Sequence, residues 1–254
     1  MLTTTQSSKV RAACDRLARE IQARRETALE PHRAPSPATG LTASRLARCS
    51  RQAYYALRDW HRQPRLSGEQ AARLVKGRRE KALALAELLE LGFELTAAHI
   101  PFPQEAYNRY GIAGRLDAKL RHPLHPRRRA EVPLAVKSLH PLAYAAVNSW
   151  RDLKKHHFYC TYYRQAQACI QAFNTNALLL LLSDCLGGWK LLTVPRDEEE
   201  LASLREMTAC VNAALKGGPL PPRMAYHAKV CGRCPFAAEC APKPERRRKR
   251  IVAG

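Results

Sequence analysis

The order of segments along the chain predicts an α/β domain with a mixed central sheet flanked by helices. Three observations carry this expectation. A long alanine- and leucine-rich helical stretch at residues 67–91 gives way to strand-like stretches at 93–102, 111–120 and 132–138. A further helical stretch at 149–173 precedes the strongly apolar run at 177–182. The resulting order is helix, three strands, helix, strand.

Each element has a local signature. Residues 1–28 have moderate helical periodicity, and PHRAPSPATGL at 31–41 reads as a linker because it carries three prolines and a glycine. Thr42 or Ser44 can cap a helix running to about Trp60. The helix at 67–91 stops at Gly92, and a basic, proline-containing turn at 122–130 separates the second and third strands. Residues 189–194 form another strand and 198–216 a helix, and GGPLPPR at 217–223 leads into a cysteine-rich end. The division is therefore 1–41 for an N-terminal helix and linker, 42–240 for the main domain and 241–254 for a basic tail. No internal repeat is visible.

With 254 residues, 46% of them hydrophobic, the chain can build a substantial core. No apolar run approaches the ~18 residues of a membrane span. The N-terminus lacks the apolar core of a secretory signal, so a soluble, cytoplasmic protein is expected. The net charge of +21 points to a polyanionic partner, nucleic acid first, with an arginine-favouring coding bias as the alternative. Arg127 to Arg129 and Arg246 to Arg250 are the basic clusters. Nine cysteines in such a chain argue against a disulfide framework. Cys14, Cys160, Cys169, Cys185 and Cys210 look isolated and are expected to be small buried hydrophobes.

The stretch VPLAVKS at 132–138 is an apolar strand ending on Lys137. Lysine is rarely buried without a partner, and Asp117, in GRLDAKL near the end of the preceding strand, can reach the same sheet edge. An aspartate can grip Mg²⁺ or Mn²⁺ through oxygen, the metal acidifies a bound water, and an ammonium can stabilise developing charge. A purely structural Asp–Lys pair is the alternative.

A helical Glu80, Asp117 after GRL, a strand ending in x-V-K and a glutamine-bearing helix together resemble the PD-(D/E)XK nuclease superfamily, most of all its RecB-like branch. The resemblance covers roughly residues 42–240. It implies a restriction-endonuclease-like core and a Mg²⁺- or Mn²⁺-dependent DNA nuclease. By the same resemblance, Glu80 and Asp117 bind the metal, the backbone carbonyl of Val136 assists, Lys137 serves the chemistry and Gln165 orients the site. The tyrosine that often follows the glutamine is replaced by Cys169. Ala135 stands where the family carries a metal-binding carboxylate. Alternation puts residues 135 and 137 on one strand face, and Glu131 lies about 13 Å away along the strand, too far to substitute simply. An engineered alanine, a naturally degenerate site and a ligand from elsewhere all remain open.

CGRCPFAAEC at 231–240 spaces Cys231, Cys234 and Cys240 as C-x₂-C-x₅-C, a metal-site pattern. Cys49, far upstream, is the candidate fourth ligand. One cysteine before the nuclease core and three after it resemble the iron–sulfur subgroup of RecB-like nucleases, which includes CRISPR adaptation nucleases and the AddB nuclease domain. That resemblance implies a [4Fe-4S] cluster acting as a staple; a structural zinc is the alternative on spacing alone.

Tyr54, Tyr55 and Trp60, and Tyr159, Tyr162 and Tyr163, could stack on unpaired bases or belong to the core. His156 and His157 could approach phosphate, but read first as a solvated helix face. Arg51, Lys154, Lys155 and Arg164 are the candidates for a DNA channel. The leading reading is an iron–sulfur DNA exonuclease acting on ends or single strands, with activity reduced or lost at Ala135. The alternatives are a non-catalytic DNA-binding descendant and a zinc-stapled basic interaction protein.

Overall fold

The computed structural model describes residues 4–35, 40–121 and 131–240, with side chains from residue 14 onward except at residue 229. The basic turn at 122–130 and the tail at 241–254 lie outside the described residues, and with them Arg127 to Arg129 and Arg246 to Arg250. Among the described residues no helix is long and apolar enough to cross a membrane.

A five-stranded sheet forms the centre, in the order β1 (Glu94–Pro101), β2 (Arg115–Arg121), β3 (Val132–Ser138), β4 (Ala177–Ser183), β5 (Trp189–Pro195). Neighbours run antiparallel except β3 and β4, which are parallel with Ala135 opposite Leu180 and Lys137 opposite Leu182. The sheet is mixed, as expected. Alternation along β3 divides its side chains. Leu134 and Val136 join Ala118, Leu120 and Leu181 under Ala84, Leu85 and Leu88 of helix α4 (Gly68–Glu90). Ala135 faces the other core, which contains Leu180, Leu182, Tyr163, Ala166, Ile170, Leu201 and Leu204. β4 is apolar from Ala177 to Leu182 because it is an interior strand covered on both faces.

Five further helices precede the third strand or follow it closely. They are α1 (Thr4–Leu29), α2 (Ala43–Leu46), α3 (Ser50–Arg58), α5 (Gln104–Tyr110) and α6 (Pro141–Ala146). Then come α7 (Trp150–Lys155), α8 (Cys160–Ala172), α9 (Glu198–Leu215), α10 (Ala228–Cys231) and α11 (Ala237–Cys240). α4 starts at a capping box: Gln70 N–H donates to Ser67 Oγ at 3.2 Å, and Ser67 N–H donates to Gln70 Oε1 at 2.9 Å. It ends before Gly92, whose φ of +83° suits glycine.

Several boundaries differ from those expected. The stretch at 111–120 is strand only from Arg115; α5 occupies the residues before it, and Gly111 (φ +67°) closes that helix. The helix expected from residue 42 to 60 is broken at Cys49, whose extended backbone (φ −157°, ψ 129°) separates α2 from α3. The helix expected at 149–173 is broken at His156. There the ring Nδ1 accepts from the N–H groups of Phe158 (3.1 Å) and Tyr159 (3.0 Å), giving the backbone a local alternative to the helix. His156 and His157 therefore do not form a solvated helix face; they stack on one another, and His157 stacks on His227. Of the five isolated cysteines only Cys169 is buried; Cys14 is exposed, and Cys160, Cys185 and Cys210 are intermediate. Among the aromatics, Tyr54, Tyr55 and Tyr163 are core residues.

Candidate functional site

The antiparallel ladder pairs Ala118 with Leu134, so one step along it brings Asp117 beside Ala135. Strand alternation then places Lys137 on the same face. α8 covers that face with Gln165, Ala166 and Cys169, and α4 reaches in with Lys81. Together with Thr42, Ser44, Gly114 and Arg115 these groups line a cavity of about 170 Å³. Four sequence-predicted positions, Asp117, Ala135, Lys137 and Gln165, thus meet in one place.

Asp117 is 4% exposed, and both its oxygens are engaged. Oδ2 accepts the Val136 N–H at 2.8 Å, and Oδ1 accepts from Lys81 Nζ at 2.5 Å. Val136 thus enters the site as an N–H donor to Asp117. Burial pushes the Lys137 ammonium below the usual lysine range; Asp117 opposes this and Lys81 reinforces it. Its Nζ lies 5.7 Å from the Tyr162 ring centroid. Burial raises the Cys169 thiol to about 12, against the opposing charge of Lys137, so the sulfur is a neutral wall of the cavity. Tyr162, raised to about 12 by burial, keeps its proton and donates to the Ser138 carbonyl at 3.2 Å.

Glu80 does not line this cavity. Its Oε2 accepts from Ser183 Oγ at 3.1 Å, at the end of β4 and level with Ser138, the last residue of β3. One residue further along α4 turns the side chain by about 100°, and it is Lys81 that faces Asp117. Sequence reasoning missed Lys81, because the adjacent acidic residue matched the expected ligand. A divalent ion needs hard oxygen donors. Here the one carboxylate in the cavity is taken by an ammonium and an amide, and Ala135 offers a methyl. Among the described residues no three His, Cys, Asp or Glu side chains are grouped about a single metal-ion position. The residues present do not fit Mg²⁺ or Mn²⁺.

The four motif cysteines meet elsewhere. Cys49, at the start of α3, joins Cys231, Cys234 and Cys240 in lining a cavity of about 220 Å³ with Tyr55, Met224, Tyr226 and Phe236. Phe236, 1% exposed, packs against Tyr55 with ring centroids 5.6 Å apart and anchors the terminal segment to α3. Burial raises the Cys234 thiol, and the other three cysteines act on it in the same direction. All four line this cavity, and among the described residues no three His, Cys, Asp or Glu side chains are grouped as a single metal ion would require. Four thiols lining one cavity are the donor type that a four-thiolate cluster would need.

Three of the four basic channel candidates are tied within the molecule. Arg51 Nε donates to the Pro221 carbonyl at 2.8 Å, Lys154 pairs with Asp197 at 2.7 Å, and Arg164 pairs with Glu200 at 2.8 Å. Lys155 is exposed.

No family model matches the chain, and no curated relative does. Among solved structures, the protein SSO0001 is similar at 15% identity, with a TM-score of 0.48 over 87% of this chain and 96% of that one. The exonuclease LHK-Exo in complex with dAMP is similar at 16% identity, with a TM-score of 0.47 over 80% of this chain and 95% of that one. A second structure of LHK-Exo, an alkaline exonuclease from Laribacter hongkongensis, is similar at 15% identity, with a TM-score of 0.40 over 78% of this chain and 97% of that one.

Proposed function

We propose that this chain is a DNA-binding protein on a nuclease-type fold, engaging DNA ends or single strands through the cleft around Lys137, with metal-dependent cleavage disabled at Ala135. The observation that carries the reading is the state of Asp117. It sits where the RecB-like resemblance implies a metal ligand, yet Lys81 and the Val136 amide occupy both of its oxygens. Three basic side chains, Lys81, Arg115 and Lys137, face one carboxylate across the cavity. A cleft so charged attracts a phosphodiester chain. The metal-dependent exonuclease is the second reading. The meeting of Asp117, Lys137 and Gln165 favours it, and it requires Asp117 to be freed and a further ligand supplied.

We further propose that Cys49, Cys231, Cys234 and Cys240 hold a [4Fe-4S] cluster, which would tie α3 to the C-terminal segment. Such a tie closes most of the chain into one loop and restricts the unfolded state.

Fluorescence anisotropy against four DNAs tests the binding reading: a single strand, a duplex with a single-stranded overhang, a blunt duplex and a covalently closed circle. The single strand and the overhang should bind most tightly and the closed circle most weakly. Equal affinity for all four would remove the preference for ends or single strands.

A further inference from the structure

The cleft carries a cation of its own. The Lys81 side chain is 23% exposed and that of Asp117 6%, with 2.5 Å between Nζ and Oδ1. A divalent ion bound at the same oxygen would be pressed against the ammonium, and like charges at such separations repel strongly in a poorly solvated site. The pair is also held from behind, because the Val136 amide fixes the other oxygen of Asp117 at 2.8 Å. Asp117 is thereby a positioning residue that points a charged ammonium into the cavity. Around that ammonium stand Lys137, Arg115, the Gln165 amide, and the Thr42 and Ser44 hydroxyls, themselves 3.1 Å apart. Apart from Asp117, the polar side chains of this wall can each donate a hydrogen bond to an anionic oxygen.

We propose that Lys81 replaces the divalent cation, so that this cleft binds a phosphate group of nucleic acid without any metal. The inference rests on the DNA-binding reading above and deepens it. Charge-assisted bonds from two ammonium groups and a guanidinium would hold the phosphate. The neutral amide and hydroxyls would complete its oxygen shell. No bond is made or broken.

The test is binding of a short, 3′-labelled oligothymidylate carrying a 5′-phosphate, followed by anisotropy in EDTA and again with Mn²⁺. The native chain should bind equally well in both. Lys81→Ala should bind at least ~10-fold more weakly in EDTA, as for loss of one hydrogen bond to a charged group. Mn²⁺ should not restore it, because the freed Asp117 has no second carboxylate beside it to help hold a metal. Asp117→Asn keeps Lys81 and an oxygen that can accept from its Nζ, removes the cavity's negative charge, and should bind in EDTA at least as tightly as the native chain. It serves as the decisive variant if Lys81→Ala fails to fold. Native binding that demands Mn²⁺ overturns the inference, as does undiminished binding by folded Lys81→Ala in EDTA, or lost binding by folded Asp117→Asn. Absence of DNA binding by the native chain under every condition would remove the DNA-binding reading itself, a distinguishable outcome.

Discussion

At position 135 the side chain is a methyl, 5% exposed, on the strand face it shares with Asp117 and Lys137. A glutamate there would place a second carboxylate beside Asp117 and compete with it for the Lys81 ammonium. Ala135→Glu should therefore create Mn²⁺-dependent cleavage at least ~10-fold above the native chain, since even indirect disturbance of a metal site costs ~10–100-fold. Lys137→Ala in that background should abolish the gain. An end-labelled single strand resolved on a gel checks both, and an Ala135→Glu protein that folds, binds DNA and gains nothing would place the missing ligand elsewhere. Much of this site was legible in the sequence. Two-residue alternation fixed Ala135 and Lys137 on one face, and strand adjacency brought Asp117 to them. Lys81 was not legible, because neighbouring helical positions differ by about 100° of rotation, and only packing against the sheet decides which one turns inward.

Asp197 ties three elements together. Its Oδ1 caps α9 by accepting the Glu200 N–H at 3.2 Å, while Oδ2 accepts from Lys154 of α7 at 2.7 Å and Tyr163 of α8 at 2.5 Å. Burial alone would raise this carboxyl, but the bonds from Lys154, Tyr163 and the helix amide outweigh it and hold it at about 2. A depressed carboxylate contributes stability that is complete above its ordinary value of 3.8 and is lost as pH falls through about 2. Asp197→Asn keeps a capping oxygen but loses the charge bonded by Lys154 and Tyr163, and should cost about 1–2 kcal/mol at neutral pH and less at pH 2, read from urea denaturation midpoints. Equal midpoints for variant and native chain at neutral pH would contradict this role. α9 was expected at 198–216 and spans Glu198–Leu215. The breaks at Cys49 and His156 were not expected: apolar periodicity runs through both, and what interrupts the helix is a specific side-chain interaction at each. At Cys49 the sulfur turns towards the terminal cysteines; at His156 the ring takes over two backbone amides.

Over the whole molecule, the predictions concern charge and the proposed cysteine-held cluster. With a net charge of +21, DNA affinity should fall steeply as salt rises, because each phosphate contact releases counterions. Removing residues 241–254 should flatten the slope of log affinity against log salt; an unchanged slope would exclude the tail from the interface. Protein purified without oxygen should be brown and carry about four irons per chain, and Cys231→Ala should lose colour and lower the thermal midpoint. Zinc without iron, in protein made with ample iron, would contradict the cluster. The central claim, a nuclease-type cleft that binds DNA and does not cut it, is tested most directly by a single-turnover assay. The native chain is added in saturating excess over an end-labelled single strand with Mn²⁺, and bound and cleaved fractions are followed together. The account expects complete binding with cleavage at the level of protein-free controls; rapid, Mn²⁺-dependent release of label by the native chain would contradict it.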